Sequence, residues 1–202
     1  MITYPIDHPT SPGFTGIKWS PRSAVATQES PFTFHEKIYV WPGQQRIVGI
    51  ELPSMAMADA KQWSTFGLEL NGSEGTFYLR DSLGKYAQGA VTGIGYVKGA
   101  SQTGQDLITD GWAANVSGLF KKGDWIQVGT RLHTVLVDAD SNASGEATLS
   151  LWPKIRTAPA DNLELPYGEN AKGLFRLTSF PEFGWDVSRL MVGFTFQARE
   201  VI

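Results

Sequence analysis

No cysteine occurs anywhere in the 202 residues. That removes disulfide frameworks, thiol nucleophiles and cysteine-ligated metals at once. Histidine is scarce: His8, His35 and His133 are the only three. No two of them stand at i, i+4 or in another metal-ligand spacing. Basic charge is not concentrated either. The 17 Lys and Arg against 20 Asp and Glu leave a net charge of -3, and Lys121-Lys122 is the single basic pair. This speaks against a nucleic-acid partner. No run of about 18 apolar residues is present to span a membrane. Residues 1–14 lack the basic start and apolar core of a signal peptide. There is no G-x-S-x-G to present a serine nucleophile, and no internal repeat.

What is present points to β structure. The chain has 22 Gly, 11 Pro and 12% aromatic residues, a turn-rich composition. Seven Trp exceed what one small core requires, so some are expected at interfaces. The most legible stretch is residues 118–159. Gly123-Asp124 opens a strand at Trp125–Val128, with Ile126 and Val128 on one face. A second strand is expected over 132–137. Residues 138–146 are polar, carry Gly145 and read as a loop. A third strand, 147–152, alternates Ala147, Leu149 and Leu151 against Thr148, Ser150 and Trp152. Pro153 is expected to end it, because proline cannot donate to the ladder.

Elsewhere the pattern is similar. Residues 1–16, with Pro5, Pro9 and Pro12, read as an extended arm, laid on a neighbouring subunit or left as a disordered tail. Residues 34–52 read as strand, Pro42-Gly43 turn, strand. One helix is expected at about 55–66, capped by Ser54 and ended by Gly67, with Ala56, Ala60, Trp63 and Phe66 or Gly67 on one stripe. Residues 76–80 read as a strand and 81–84 as a turn. Residues 173–177 form a strand, a turn follows around 181–185, and a final strand ends the chain. There Val192, Phe194, Phe196 and Ala198 point inward, with Gly193, Thr195, Gln197 and Arg199 outward. This last strand is expected to pair with 47–52 in the centre of a sheet. The loose, glycine-rich 87–106 and the linker-like 158–173 bracket an insertion. The expected fold is all-β: a split, β-sandwich-like body (1–93 and 161–202) with one short helix and an inserted small β-barrel module (94–160).

Candidate chemistry is thin. Asp138, Asp140 and Asn142 begin like a calcium loop, but Ala143 stands where glycine is needed and Leu149 where a bidentate glutamate is needed. A solvated turn is the simpler reading. His133 lies within a strand, where a hydrogen-bonded histidine is more usual than a general base. Glu69, Glu74, Asp81, Glu182 and Asp186 would be the source of any glycosidase pair, yet each sits among turn residues. Trp112, Trp125, Trp152 and Trp185 make either a sugar platform or, in the preferred reading, subunit packing. Asn71, Asn115 and Asn142 match the glycosylation pattern by spelling only. No catalytic residue, cofactor site or metal site is assigned.

Six segments, read together, carry a resemblance. They are WPGQQRIVGIELPSM, ADAKQWSTF, GTFYLRDSLGK, GLFKKGDWIQVG, ATLSLWPKIRTAP and GLFRLTSFPEFGWDVSRLMVGFTFQAREV. In order and spacing the chain resembles the distal tail proteins, the tail-tip ring proteins of phages and prophages with long non-contractile tails. That resemblance implies a structural virion protein without catalysis. It implies a homo-oligomeric ring, hexameric in that family, joining the tail tube protein to the tail hub protein and to side fibres or receptor-binding proteins. It implies a place in the virion, after assembly in the host cytoplasm. The family's inserted modules are often carbohydrate-binding; the short insertion here favours a docking or spacer role. The alternative is a receptor-recognising carbohydrate-binding module.

Overall fold

The computed structural model describes residues 2–81, 85–179 and 193–202. Among these residues the fold is mostly β, with 43% strand and one helix. In chain order the elements are β1 (Gly16–Glu29), β2 (Glu36–Glu51), α1 (Met57–Glu69), β3 (Phe77–Leu79), β4 (Gly95–Val97), β5 (Gly104–Asp110), β6 (Trp125–Val128), β7 (Arg131–Val135), β8 (Ala147–Ile155), β9 (Glu164–Leu165), β10 (Gly173–Leu177) and β11 (Thr195–Glu200).

Two sheets result. The first has the order β1-β2-β11-β10-β3 and the second β6-β7-β8-β5-β4-β9. The second is a nearly closed barrel: Ile126 of β6 bridges Tyr167, and the Gln127 amide donates to the Pro166 carbonyl at 2.7 Å, just beyond β9. Closure removes sheet edges that would otherwise need covering. Leu107, Leu119, Phe120, Ile126, Leu149 and Leu151 fill its interior.

In the first sheet, β11 pairs antiparallel with β2 from Thr195↔Glu51 to Arg199↔Ile47, at the sheet's centre as expected. Alternation then decides what is buried. Phe194, Phe196 and Ala198 are buried, while Gly193, Thr195, Gln197 and Arg199 are exposed. Val192 and the expected turn at 181–185 lie outside the described residues, as do 82–84. Val48, Ile50, Phe77, Leu79, Phe175 and Leu177 share the inner face. Helix α1 covers one end of it, with Trp63 over Phe196 (6.3 Å between ring centres) and Phe66 edge-on to Phe77 (5.4 Å). The barrel wall packs sandwich-like on the other end, bringing Leu132 into this core and Trp125 against Trp19 at 5.2 Å.

Several expectations needed correction. Pro42-Gly43 is no turn: β2 runs straight through it, paired to β1 along its length. The register shifts there, so that residues 41–43 lie opposite Ala24 alone. A bulge tolerates a residue without an amide hydrogen. Pro153 does not end β8 either, which continues to Ile155. It too sits where the ladder slips, between Asp106↔Ser150 and Gly104↔Ile155. Gly67 lies inside α1, buried against the sheet, and the helix starts at Met57 with no side-chain cap from Ser54. The left-handed positions that end it are Asn71 (φ 47°) and Gly72 (φ 69°). Ala56 is exposed. The stretch 158–173 is not only a linker, since β9 within it pairs with β4. The N-terminal arm lies on its own chain: the Ile6 amide donates to the Thr76 carbonyl (3.0 Å) and the Tyr4 hydroxyl to the Glu69 carbonyl (2.7 Å). Ile6 and Phe14 pack on the first core, which supplies the apolar partner that a free arm would lack. Among the described residues no helix is long and apolar enough to cross a membrane.

Candidate functional site

Beyond Arg46 the β1–β2 pair leaves the body. The pairing of β2 with β11 stops at Ile47, and past Gln44 and Gln45, which bond to the barrel and to the Glu200 carbonyl, residues 24–43 form a two-stranded ribbon. Its cross-strand pairs are Val25↔Val40, Ala26↔Tyr39, Thr27↔Ile38, Gln28↔Lys37 and Glu29↔Glu36. Side chains of directly opposed residues share a face. One face therefore carries Val25, Val40, Thr27 and Ile38, then Glu29 and Glu36 near the tip. The other carries Ala26 and Gln28 beside Tyr39, Trp41 and Lys37, with the Lys37 ammonium 5.3 Å from the Tyr39 ring centre.

The ribbon is apolar where water reaches it. Phe32 at the tip is 90% exposed and Phe34 74%, and Val25, Ile38, Val40 and Trp41 are exposed as well. The Phe34 amide donates to the Ser30 carbonyl at 2.9 Å, and Phe34 has φ 55°. A bulky residue in the left-handed region costs about 1–3 kcal/mol. Burying one such side chain is worth about 1.5–3 kcal/mol, so a partner covering half of them gains several. A long apolar ribbon with open edges is an aggregation hazard unless something covers it.

The base of the ribbon is held rigidly. Arg46 is buried between the barrel and the sheet. Its Nη1 donates to the Leu132 carbonyl (2.5 Å), and its Nη2 to Thr134 Oγ1 (2.6 Å) and the Trp152 carbonyl (3.2 Å). The rings of Trp125 and Trp152 lie 4.5 and 4.8 Å from the guanidinium. Burial pulls the pKa of Arg46 down to about 10, so it keeps its charge at neutral pH. Beside it Glu200 accepts from Arg131 Nη2 at 2.9 Å and from the Arg46 amide at 3.3 Å. His133, with its Nδ1 2.7 Å from the Pro153 carbonyl, is buried, which pushes its pKa from 6.5 down to about 3. A neutral ring donating from Nδ1 fits that geometry.

Among the described residues, the histidines and carboxylates singled out in the sequence do not converge. His8 stacks near Trp63, His35 lies at the ribbon tip, and His133 lies in the barrel wall. Asp138 accepts from Lys121 Nζ (2.9 Å) and the Lys122 amide (2.8 Å); Asp140 accepts from the Gly118 amide (2.5 Å). The Lys121 partner holds the Asp138 carboxyl below its ordinary range. Asn142 Oδ1 accepts from the Ser144 and Glu146 amides, so this loop spends its oxygens on its own backbone. Among the described residues no group of His, Cys, Asp or Glu is assembled that could hold a metal ion. Glu69 lies at the end of α1, Glu74 accepts from Asn71, and Asp81 is buried. Glu182 and Asp186 lie outside the described residues. A cleft of about 620 Å³ is lined by Tyr86, Tyr167, Glu164 and Glu169, with Glu169 4.0 Å from the Lys85 ammonium. Asn71 and Asn115 take left-handed turn positions, with φ 47° and 56°.

Of the four tryptophans singled out in the sequence, the three within the described residues pack inside the chain. Trp112 is buried in the barrel, its Nε1 donating to Thr109 Oγ1 at 2.8 Å. Trp125 and Trp152 clamp Arg46, and Trp185 lies outside the described residues. Among the described residues the exposed indole is Trp41, which neither the sugar-platform nor the packing reading selected. The available signal was the alternation of Ile38, Val40 and Tyr39, Trp41, apolar on both faces of a strand. No protein-family model matches the chain, and no curated protein is significantly similar to it.

Proposed function

We propose that the chain is a structural subunit of a phage tail tip. It assembles into a homo-oligomeric ring, most simply of six copies. The ring joins the tail tube protein to the hub protein and to peripheral fibres or receptor-binding proteins, without catalysis and without a cofactor. The observation that carries this reading is the projecting ribbon: a rigidly based hairpin whose apolar side chains face water on both sides and at its tip. Such a surface is made to be covered by protein. The order of segments that resembles tail-tip ring proteins supplies the setting. The decisive experiment is a reconstruction of the tail tip in its particle. Several symmetric copies of this chain, each with its hairpin against another chain, are the expected result. A single copy, or hairpins left in solvent, overturns it.

A further inference from the structure

Two like-charged pairs of opposite sign occur on two separate surfaces. At the ribbon tip Glu29 stands directly opposite Glu36. On the outer face of the first sheet Arg176 stands directly opposite Arg199. Like charges placed opposite one another across a ladder are destabilising. None of the four takes part in an ion pair within the described residues. The free chain therefore carries a small electrostatic cost at both places, with opposite signs.

The surroundings match as well. Beside the carboxylates lie Val25, Ile38 and Val40; the neighbouring Lys37 is on the other face, over Tyr39. On the sheet, Arg199 is opposite Ile47, and Leu174 is opposite Tyr78, with Lys172 Nζ 4.0 Å from the Tyr78 ring centre. Among the described residues, the acid on this outer face, Glu51, is already paired to Lys18 at 2.5 Å. One surface is apolar and acidic, the other apolar and basic.

We infer that the acidic face of the β1–β2 hairpin of one copy docks on the outer face of the five-stranded sheet of a second copy, Glu29 and Glu36 against Arg176 and Arg199. The contact rests on the assembly reading above and names its surfaces. Arginine and carboxylate groups pair bidentately, which fixes register as well as attraction. The two surfaces differ, so the contact is heterologous. Repeated from copy to copy it closes into a ring or runs on as a filament, and does not stop at a two-fold dimer.

The chain's lack of cysteine makes the test clean. Glu36→Cys and Arg199→Cys full-length chains are mixed, and a short thiol-to-thiol cross-linker is added. A mixed dimer well above either homodimer is expected. Equal or absent mixed product overturns the inference. Charge reversal gives the second arm. Glu29→Arg with Glu36→Arg in one chain, or Arg176→Glu with Arg199→Glu in another, should each weaken self-association roughly a hundred-fold, since like-charge juxtaposition costs several kcal/mol. Mixing the two restores it in alternating copies, which also shows that both variants are folded. Unchanged association of either variant alone, or no recovery on mixing, overturns the inference. Association of the unmodified chain by light scattering, without hairpin-to-sheet cross-links, overturns this contact and leaves the assembly reading standing. Neither association nor cross-links counts against both.

Discussion

The guanidinium of Arg46 lies 4.5 Å from the centre of the Trp125 ring, and Trp152 closes on it from 4.8 Å. Arg46 belongs to the sheet and both rings to the barrel, so one side chain ties the two together. It does so with a charge that burial opposes and that three hydrogen bonds and two aromatic faces retain. Removing it would leave the Leu132 and Trp152 carbonyls without these donors and empty the slot between the rings. Arg46→Ala is therefore expected to destabilise by about 3–5 kcal/mol, as breaking a buried charged network does. Arg46→Lys should recover only part of that, because an ammonium cannot reach three acceptors from one plane. Urea unfolding followed by tryptophan fluorescence measures both. A loss below about 1 kcal/mol for the alanine variant would show that the tie is not structural.

His133 sets an acid limit on the fold. Its pKa is about 3 in the folded chain against an ordinary 6.5. Between those values the unfolded chain takes up a proton that the folded chain refuses. Stability is thus full above pH 6.5 and is lost as pH falls toward 3. The slope from this one group reaches about 1.4 kcal/mol per pH unit. Arg131 and Arg46 nearby act in the same direction as burial. His133→Asn keeps an N–H for the Pro153 carbonyl but does not titrate. Its unfolding free energy should be flatter than that of the parent chain between pH 6.5 and 5, above the ordinary range of the carboxylates. Parallel curves would mean that the histidine is not held neutral.

How much of this was legible depends on what each side chain faces. β11 could be read because one face is buried and the other exposed, which writes a period of two into the sequence. The outer half of the hairpin has no buried face, so it wrote no such period, and β1 went unread. Pro42-Gly43 looked like a turn because a bulge and a turn use the same residues. The Arg46 tie was illegible for a different reason. Its acceptors lie 86, 88 and 106 residues away, at Leu132, Thr134 and Trp152. A single arginine in a strand carries no mark of partners that distant. The charge pairs of the hairpin and the sheet are plain once the register is known and invisible before it.

Packing inside the barrel makes a sharper demand at Gly95. A Cβ there would stand 2.0 Å from the Trp112 ring. Trp112 has little room to move, being hydrogen-bonded to Thr109 at 2.8 Å and edge-on to Phe120 at 5.2 Å. Gly95→Ala should cost about 1–3 kcal/mol or more through overpacking. Gly49→Ala is the control, since its nearest neighbour would be Lys18 Cβ at 3.9 Å. It should stay within about 0.5 kcal/mol of the parent. Both are read from denaturant midpoints at constant slope. Equal effects of the two substitutions would contradict the packing around Trp112.

The hairpin separates stability from assembly. None of residues 24–43 belongs to either buried core. Ser23 and Gln44 are direct partners, so residues 24–43 can be replaced by Asn-Gly, which favours the turn that joins two strands at that point. Gln44 keeps its contacts to the barrel, accepting from the Lys154 amide at 2.7 Å and from Arg131 at 3.1 Å. The shortened chain should fold with a stability within about 1 kcal/mol of the parent, because surface changes away from caps and cores rarely cost more. Its self-association should be lost, because the exposed apolar side chains of the ribbon are gone. Circular dichroism on heating gives the first quantity and light scattering at matched concentration the second. An unfolded product would make the hairpin part of the fold. A folded product that associates like the parent would put the assembly surface elsewhere on the molecule.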